Sequence, residues 1–220
     1  MEDQESAPRD VPVQVVRVKV MPKSGRKNPL TSKFKKALQR EWKRRPEVLL
    51  CPNIPKPMHG LAPRVVLGQK WWDKTRQAAY TSTLYHCIAC GVYKHDARGH
   101  KWLEGHEWYD IDYAKGRMVY VETIPLCNYC HSYIHDGRLL ALLKSREITA
   151  QRYAAVIQHG DRVLAAAGLQ RMTHAERDEA IKQLILAGKV ADWGRWRLVV
   201  EGKKYKPLYK SYEEWEQANV

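Results

Sequence analysis

Four cysteines, arranged as two Cys-x-x-Cys pairs, are the residues whose types and spacing most clearly predict chemistry in this chain. Cys87 and Cys90 form the first pair, Cys127 and Cys130 form the second, and 36 residues lie between the pairs. Each pair can make a tight turn that aims two sulfurs at one ion, so the four thiolates predict one tetrahedral zinc site. A simple zinc finger or ribbon needs fewer residues between its pairs. We therefore expect a structural zinc ion, with any catalytic chemistry on the residues that it holds together.

Side chains that can bind a cation or move a proton fill the interval between the pairs and continue beyond it. A neutral imidazole can accept a proton near neutral pH, and imidazoles and carboxylates both bind divalent cations. His131 directly follows Cys130, and His135 lies four residues later, on the same face of a continuing helix. The other candidates are His95, His100, His106, Glu107, Asp110 and Asp112. Among these we expect His95 and His100 to be solvated in a polar loop, and both aspartates to lie in loops or turns.

The order of these motifs resembles the HNH nuclease family, which has a ββα-metal fold. The resemblance is carried by a Cys-x-x-Cys pair, a strand that bears a histidine, and the run Leu126-Cys127-Asn128-Tyr129-Cys130-His131. The chain is most similar to a phage and prophage-type subgroup, through residues 57–64, 71–73, 106–107 and 130–138. This similarity extends from about Ile54 to the C-terminus. It implies a metal-dependent DNA endonuclease that hydrolyses phosphodiester bonds, by nicking one strand or cutting both.

The resemblance also implies roles for individual residues. His106 matches the general base at the end of the first strand, and His131 matches a histidine that binds the catalytic metal. The family has a metal-binding Asp directly before the base, where this chain has Gly105. It has an Asn that orients the base, where this chain has Glu122. The resemblance thus implies two cofactors, a structural Zn²⁺ and a catalytic Mg²⁺ or other divalent ion.

Two arrangements could replace the missing aspartate. Glu107 could supply the metal-binding carboxylate, with His106 as the base. Alternatively, His106 could bind the metal itself, while Glu107 orients or activates the water. His135 could be a further ligand in either arrangement. Neighbouring strand residues point to opposite faces, so His106 and Glu107 can face one metal only with a bend or bulge at Gly105.

A second function from a different class remains open at this point. His131 could belong to the zinc site beside Cys130, and His106 could be a structural histidine. The chain would then be a catalytically inactive zinc-binding module that binds nucleic acid or a partner protein. Metal-dependent cleavage, and a second metal beside zinc, would distinguish the two functions.

The charge of the chain predicts a polyanionic partner. The formal net charge is +14 and the pI is about 9.6. Between Arg17 and Arg45 there are twelve Lys or Arg residues and one acid, Glu41. This one-sided bias favours contacts with a nucleic-acid backbone, and charge does not distinguish DNA from RNA. The expected phosphate contacts are Lys33, Lys36, Arg40, Lys43 and Arg44.

The cysteine count and hydropathy indicate the compartment. Five cysteines leave Cys51 outside the two pairs, which favours metal-bound thiolates in a reducing compartment over a disulfide scaffold. We expect Cys51 to be an inert thiol. No apolar run approaches the ~20 residues of a membrane span, and the N-terminus has no signal-peptide pattern. We therefore expect no membrane partner and a cytoplasmic location, in a bacterial host cell if the family resemblance holds.

The elements that would position these residues predict an α+β fold. We expect a zinc-stapled ββα-metal (HNH) core with helical additions and a C-terminal β-hairpin. Three parts are expected: a basic arm of strand, helix and linker over residues 1–53, the zinc-bound core over 54–146, and packing helices with the hairpin over 147–220. Strands are predicted at Val11–Val20, Lys101–Glu107 and Arg117–Ile124, and a hairpin at Arg195–Tyr205 that turns at Glu201-Gly202. Helices are predicted from Thr31 or Ser32 to Arg45, at Trp71–Thr83, at Asn128–Lys144 with a possible break at Gly137, at Thr149–Ala167, at Thr173–Ala187 and from Ser211. The proline-rich segment Val48–Pro63 is expected to be extended on the surface.

Overall fold

The structure is a computed structural model that describes residues 42–219 of the chain. The predicted strand Val11–Val20 lies outside the described residues, as do Lys33, Lys36 and Arg40. The predicted N-terminal helix does not reach Arg45, because residues 42–45 are irregular. Pro46 accounts for the non-helical conformation of Arg45, since the residue before a proline is disfavoured in the helical conformation. Arg45 accordingly has φ −130° and ψ 73°.

A four-stranded mixed sheet organises the described residues. Its strands are β1 (Glu104–Asp112), β2 (Arg117–Leu126), β3 (Arg197–Val200) and β4 (Lys203–Tyr205), in the order β1-β2-β3-β4. β1 and β2 form an antiparallel hairpin, β2 pairs in parallel with β3, and β3 and β4 form a second antiparallel hairpin. Together with the helices, this sheet confirms the predicted α+β class.

Strand β1 differs from its prediction at both ends. It begins at Glu104 and continues through Asp112, so Asp110 and Asp112 lie in a strand and not in a loop. A register shift between Trp108 and Tyr109 keeps β1 paired with β2 over this length. Successive side chains of a strand point to opposite faces. Asp110 is exposed whereas its two neighbours are buried or half-buried, so the strand can include this acidic residue.

Seven α-helices lie within residues 42–219. Their bounds are α1 Pro63–Leu67, α2 Gln69–Ser82, α3 Asn128–Ile134, α4 Asp136–Lys144, α5 Ala150–Ala165, α6 His174–Leu186 and α7 Tyr212–Asn219. The predicted caps are confirmed: the Thr149 side chain accepts a hydrogen bond from the Arg152 amide, and Thr173 forms a capping box with Glu176. Helix α1 was not predicted. No helix in this part of the chain combines the length and the apolar character that crossing a membrane requires.

The break between α3 and α4 falls at His135, not at Gly137 as predicted. His135 has φ −89° and ψ 47°, whereas Gly137 is an ordinary residue of α4. The next residue, Asp136, is buried and accepts charged hydrogen bonds from Arg171 (2.5 Å) and Arg177 (2.8 Å). The break therefore lies next to a buried residue that forms ion pairs with two distant arginines. The local sequence does not reveal these ion pairs.

Two buried clusters stabilise the fold. One surrounds the four cysteines and includes Tyr133, Val156 and Leu164 of the helices. The other contains Met118, Trp196 and Leu198 of the sheet region. The proline-rich segment is not simply extended on the surface, because it forms 3₁₀ turns at Pro46–Leu50 and Lys56–Met58. It buries apolar side chains in both clusters: Val48 and Leu49 in the first, Met58 in the second.

Candidate functional site

The four cysteines predicted to bind zinc lie together. One ligand atom from each of Cys87, Cys90, Cys127 and Cys130 lies within 4.8 Å of the others, and all four are free thiols. Cys90 Sγ and Cys127 Sγ are 3.7 Å apart. Four sulfurs at this separation, largely buried, form a donor set that can bind a metal ion such as zinc. The predicted four-cysteine cluster is therefore confirmed as a candidate metal site.

Local backbone structure presents these sulfurs. The amide of Gly91 donates a hydrogen bond to the Cys87 carbonyl (2.8 Å), and Gly91 has φ +79°, which closes the first pair into a tight turn. Cys127 is the N-cap residue of α3, and Cys130 lies in the first turn of that helix. A metal bound here would therefore fix the start of α3 against the turn at Cys87.

His159 of α5 lies against the cysteine cluster, a neighbour that the sequence analysis missed. Its Nε2 lies 3.3 Å from Cys130 Sγ. Hydrogen bonds with the thiols of Cys127 and Cys90 raise the pKa of His159 to about 9. The ring therefore carries a proton at neutral pH and can donate it to sulfur, which offsets part of the negative charge of four thiolates.

A second cluster brings together three of the predicted histidines. One ring nitrogen from each of His106, His131 and His135 lies within 4.8 Å of the others. The ring centroids are 5.4 Å apart for His106 and His131, 5.0 Å for His106 and His135, and 4.7 Å for His131 and His135. His106 comes from β1, whereas His131 and His135 come from one face of α3 and its C-cap. Three converging imidazoles form a donor set for a divalent transition metal.

The environment of His106 fits a metal ligand. Its side chain is buried, and neither ring nitrogen has a hydrogen-bond partner within the described part of the chain. The pKa of His106 is lowered to about 2. Burial is the largest cause, and the charges of the neighbouring His131 and His135 add to it. The ring is therefore neutral, and a neutral imidazole is the form that binds metals. Because buried polar atoms without partners are rare, a cation at this cluster would satisfy an otherwise unpaired nitrogen.

Glu104 is a second candidate site residue that the sequence analysis missed. Its Oε2 accepts a hydrogen bond from His131 Nδ1, and its Oε1 accepts from Asn128 Nδ2 (2.9 Å) and contacts His100 Nε2 (2.7 Å). Partial burial alone would raise the pKa of Glu104. The hydrogen bond and charge of His131, together with the hydrogen bonds of Asn128 and His100, outweigh burial and lower the pKa to about 2. The carboxylate therefore fixes the His131 ring, leaving Nε2 for a metal. Glu104 lies two residues before His106 in a predicted strand, so the two-residue period could have placed both on one face.

We expect the substitution Glu104→Gln to weaken divalent-cation binding at the histidine cluster by about 10- to 100-fold, because the orienting charge on His131 is lost. Calorimetric titration of Ni²⁺ into zinc-loaded protein measures this change. Asp110→Asn, which alters an exposed carboxylate on the same strand, is the matched control and should leave the affinity unchanged. Equal Ni²⁺ affinity of the parent and Glu104→Gln would contradict a positioning role for Glu104.

Glu107 lies next to His106 in sequence but outside the histidine cluster. Among the described residues, no carboxylate oxygen joins the three ring nitrogens within 4.8 Å. Glu107 is buried, its Oε1 has no hydrogen-bond partner among the residues that the structure describes, and Arg64 Nη1 lies 3.7 Å from that oxygen. The bulge at Gly105 that His106 and Glu107 would need in order to face one metal is absent, because β1 pairs regularly with β2 from Glu104 to Trp108. The register shift after Trp108 places the extra residue on β2, where Val121 lies between the partners of Trp108 and Tyr109.

His106 and Glu107 nevertheless line the same cavity. This cavity has a volume of about 1130 Å³, and its other lining residues include Arg64, His135 and Arg138. Within residues 42–219, β1 is one of the two edge strands of the sheet, so side chains from both of its faces can reach a space along that edge. The cavity therefore combines imidazoles, a buried carboxylate and two guanidinium groups.

Other predicted site residues lie apart from the cluster. Glu122 pairs with Arg45 at 2.5 Å and does not contact His106, because its position on β2 is opposite Trp108. His100 is not a freely solvated loop residue, since it contacts Glu104, whereas His95 is exposed as expected. Burial raises the pKa of Cys51 to about 12, which keeps it a protonated and unreactive thiol. Of the five expected phosphate contacts, Lys43 and Arg44 are described, and both are exposed.

Comparisons with known proteins do not assign this chain to a family. The chain was compared with protein-family models, with curated proteins and with solved structures. No match was found in any of the three comparisons.

Proposed function

We propose that the protein is a metal-dependent DNA endonuclease of the HNH type, with zinc at the four cysteines as a structural ion. The observation that carries this proposal is the three-histidine cluster, in which the buried ring of His106 has two nitrogens without a hydrogen-bond partner within residues 42–219. The order of hairpin β1–β2 followed by α3 agrees with the ββα-metal arrangement that the sequence resemblance implies. The resemblance and the geometry both support a role for His106 and His131.

The geometry favours the arrangement in which His106 is a metal ligand and Glu107 acts on the water. His106 shares its cluster with His131 and His135, whereas Glu107 lies outside it. A divalent cation held by the three rings would stabilise the negative charge of the phosphate and of the leaving oxygen. Imidazole ligands favour Ni²⁺ or Zn²⁺ over Mg²⁺, which prefers oxygen ligands.

Glu107 is the group that we assign to proton transfer. Its carboxylate is buried in the cavity that His106 also lines, and one oxygen has no hydrogen bond from any described residue. A carboxylate in this state can accept the proton of an attacking water. Arg64 lies beside it, with a side chain that is 53% exposed and can bind a phosphate oxygen. The two residues would hold the water and the phosphate in one place.

The substrate class follows from the charge. A formal charge of +14 favours a polyanion, and the exposed Lys43 and Arg44 extend the basic surface of the described residues. Backbone contacts of this kind give affinity that falls with salt and carries little sequence preference. DNA is the substrate that the family resemblance implies, and RNA is tested beside it.

Cleavage of supercoiled plasmid by purified protein, over a series of Mg²⁺, Mn²⁺ and Ni²⁺, tests the proposal. We expect metal-dependent nicking or cutting by the parent, and loss of this activity in His106→Ala and in His131→Ala, with zinc content unchanged. His95→Ala removes an exposed histidine outside the cluster and should cut like the parent. An RNA of matched length, incubated in parallel, measures the preference for DNA.

Two outcomes would reject the nuclease proposal. The first is that no metal supports cleavage although the protein binds DNA; the second is that both histidine variants cut as well as the parent. In the first case the chain is a zinc-binding module that binds nucleic acid without cutting it. In the second, the plasmid is cut elsewhere or by a contaminant.

A further inference from the structure

An exposed tryptophan lies close to the histidine cluster. All eight tryptophans of the chain fall within residues 42–219, and Trp102 is the only mostly exposed one, at 60%. Its indole is stacked on the ring of His100, with centroids 3.8 Å apart and planes inclined by 2°. One face of the indole is therefore covered by a parallel ring, and the opposite face is available to a further flat partner.

The loop that carries Trp102 is anchored at both ends. Ala97 and Leu103 are buried at 0% and 4% exposure, and Lys101 Nζ donates a hydrogen bond to the Ala97 carbonyl (3.0 Å). Gly99 has φ +90°, and a Cβ there would lie 2.6 Å from Asn128 Oδ1. The close approach of this loop to Asn128 thus requires glycine. An aromatic ring held in this way loses little conformational entropy when a ligand stacks on it.

Hydrogen bonds connect the stacked pair to the proposed metal ligands. His100 Nδ1 faces the Trp102 carbonyl at 3.1 Å, and His100 Nε2 contacts Glu104 Oε1 at 2.7 Å. The same Glu104 carboxylate accepts a hydrogen bond from His131. Trp102 is therefore separated from the proposed catalytic site by one stacking contact and two hydrogen bonds.

We propose that Trp102 is a stacking platform for an unpaired nucleobase of the DNA substrate, beside the phosphate that is cut. This inference rests on the proposed nuclease function and specifies its substrate. Bases stack on aromatic side chains through their flat faces, and every base has such a face. Both faces of a base inside a continuous duplex are covered by its neighbours, so the base on Trp102 must be unstacked. The preferred substrate is accordingly DNA with a gap, flap or other single-stranded stretch, over continuous duplex.

The first test compares DNA binding by the parent and by Trp102→Ala, without added divalent metal so that no cutting occurs. We expect affinity for a single-stranded oligonucleotide to fall about 5- to 150-fold, the range that loss of one base–aromatic stack produces. The slope of affinity against salt should not change, because no ionic contact is removed. Trp102→Phe should bind with intermediate affinity. Leu186→Ala, at a position that is 71% exposed on α6, is the control and should bind like the parent.

The second test uses unaltered protein and varies the DNA. Each duplex in a gapped series lacks the base at one position near the cut. We expect one of these abasic positions to lower cleavage by the parent by about the same factor as Trp102→Ala lowers binding. Cleavage by Trp102→Ala should not depend on which base is missing. If the parent neither binds nor cuts any DNA, the proposed function fails. If the parent cuts DNA but continuous and gapped duplexes are equivalent, or Trp102→Ala binds single strands like the parent, the stacking platform is wrong and the nuclease proposal stands.

Discussion

Replacing Glu107 by glutamine is expected to lower metal-dependent DNA cleavage by about 10²- to 10⁴-fold, the usual contribution of a positioned acid–base group. The amide has nearly the same shape as the carboxylate but cannot accept the proton of an attacking water. Glu107 is buried, and within the described residues its Oε1 has no hydrogen bond that would hold it for a structural purpose. Single-turnover cleavage of plasmid at saturating metal measures the effect on the chemical step.

Metal affinity separates the two possible roles of Glu107. Because its oxygens lie outside the three-histidine cluster, Glu107→Gln should bind Ni²⁺ as the parent does, whereas Glu104→Gln should bind it more weakly. Glu122→Gln is the control at a carboxylate that pairs with Arg45, and it should retain cleavage. Loss of metal binding in Glu107→Gln would instead make Glu107 a ligand and return His106 to the role of base. Undiminished cleavage would remove Glu107 from the mechanism.

The substitution Gly160→Ala is expected to destabilise the protein strongly, by about 3 kcal/mol or more, at the upper end of the range for overpacked cores. A Cβ at this position of α5 would lie 2.2 Å from Cδ2 and 2.3 Å from Cγ of Tyr133. That ring is 1% exposed, and its hydroxyl donates a hydrogen bond to Asp161 (2.8 Å), so it cannot move aside easily. Tyr133 lies between His131 and His135 on α3, so cleavage should fall as well.

Gly137→Ala is the matched control for this prediction. Gly137 lies in the first turn of α4, and no described residue outside that helix has a heavy atom within 4 Å of an added Cβ, so alanine should stabilise the protein by up to about 0.5–1 kcal/mol. Urea unfolding of the zinc-loaded variants measures both effects, which have opposite signs. If Gly160→Ala unfolds at the same urea concentration as the parent, α3 and α5 do not pack as closely as described.

The parts of the fold that depend on local sequence were predictable. The Cys-x-x-Cys pairs, the caps at Thr149 and Thr173 and the turn at Glu201-Gly202 are each defined within a few residues, and the structure has all of them. The break at His135 was not predictable, because it coincides with ion pairs from Arg171 and Arg177, which lie far along the chain. A glycine two residues later was the more obvious local signal.

The candidate site shows the same distinction. His106, His131 and His135 came from spacing and resemblance, and the structure brings them together. Glu104 was not predicted because the family pattern concerns the residue directly before His106, although alternate strand residues share a face. The contact of His159 with the cysteine cluster depends on how α5 packs, which no spacing in the sequence indicates.

The parallel pairing of β2 and β3 has a consequence for how the chain is made. Arg117 of β2 pairs with Arg197 of β3, so the partners are 80 residues apart, and synthesis of the chain proceeds from the N-terminus. Both cysteine pairs leave the ribosome before β3 does, so zinc can bind while one edge of β2 is still uncovered. Such an edge can pair with another chain, and the delay exposes it to aggregation. In the described residues, the sheet on this side of β2 ends at β4, a short strand that carries Lys203 and Lys204. Two adjacent positive charges on so short an edge strand oppose pairing with a neighbouring molecule. The folded protein is thereby protected from edge-to-edge aggregation, whereas the nascent chain, with one edge of β2 uncovered, is not.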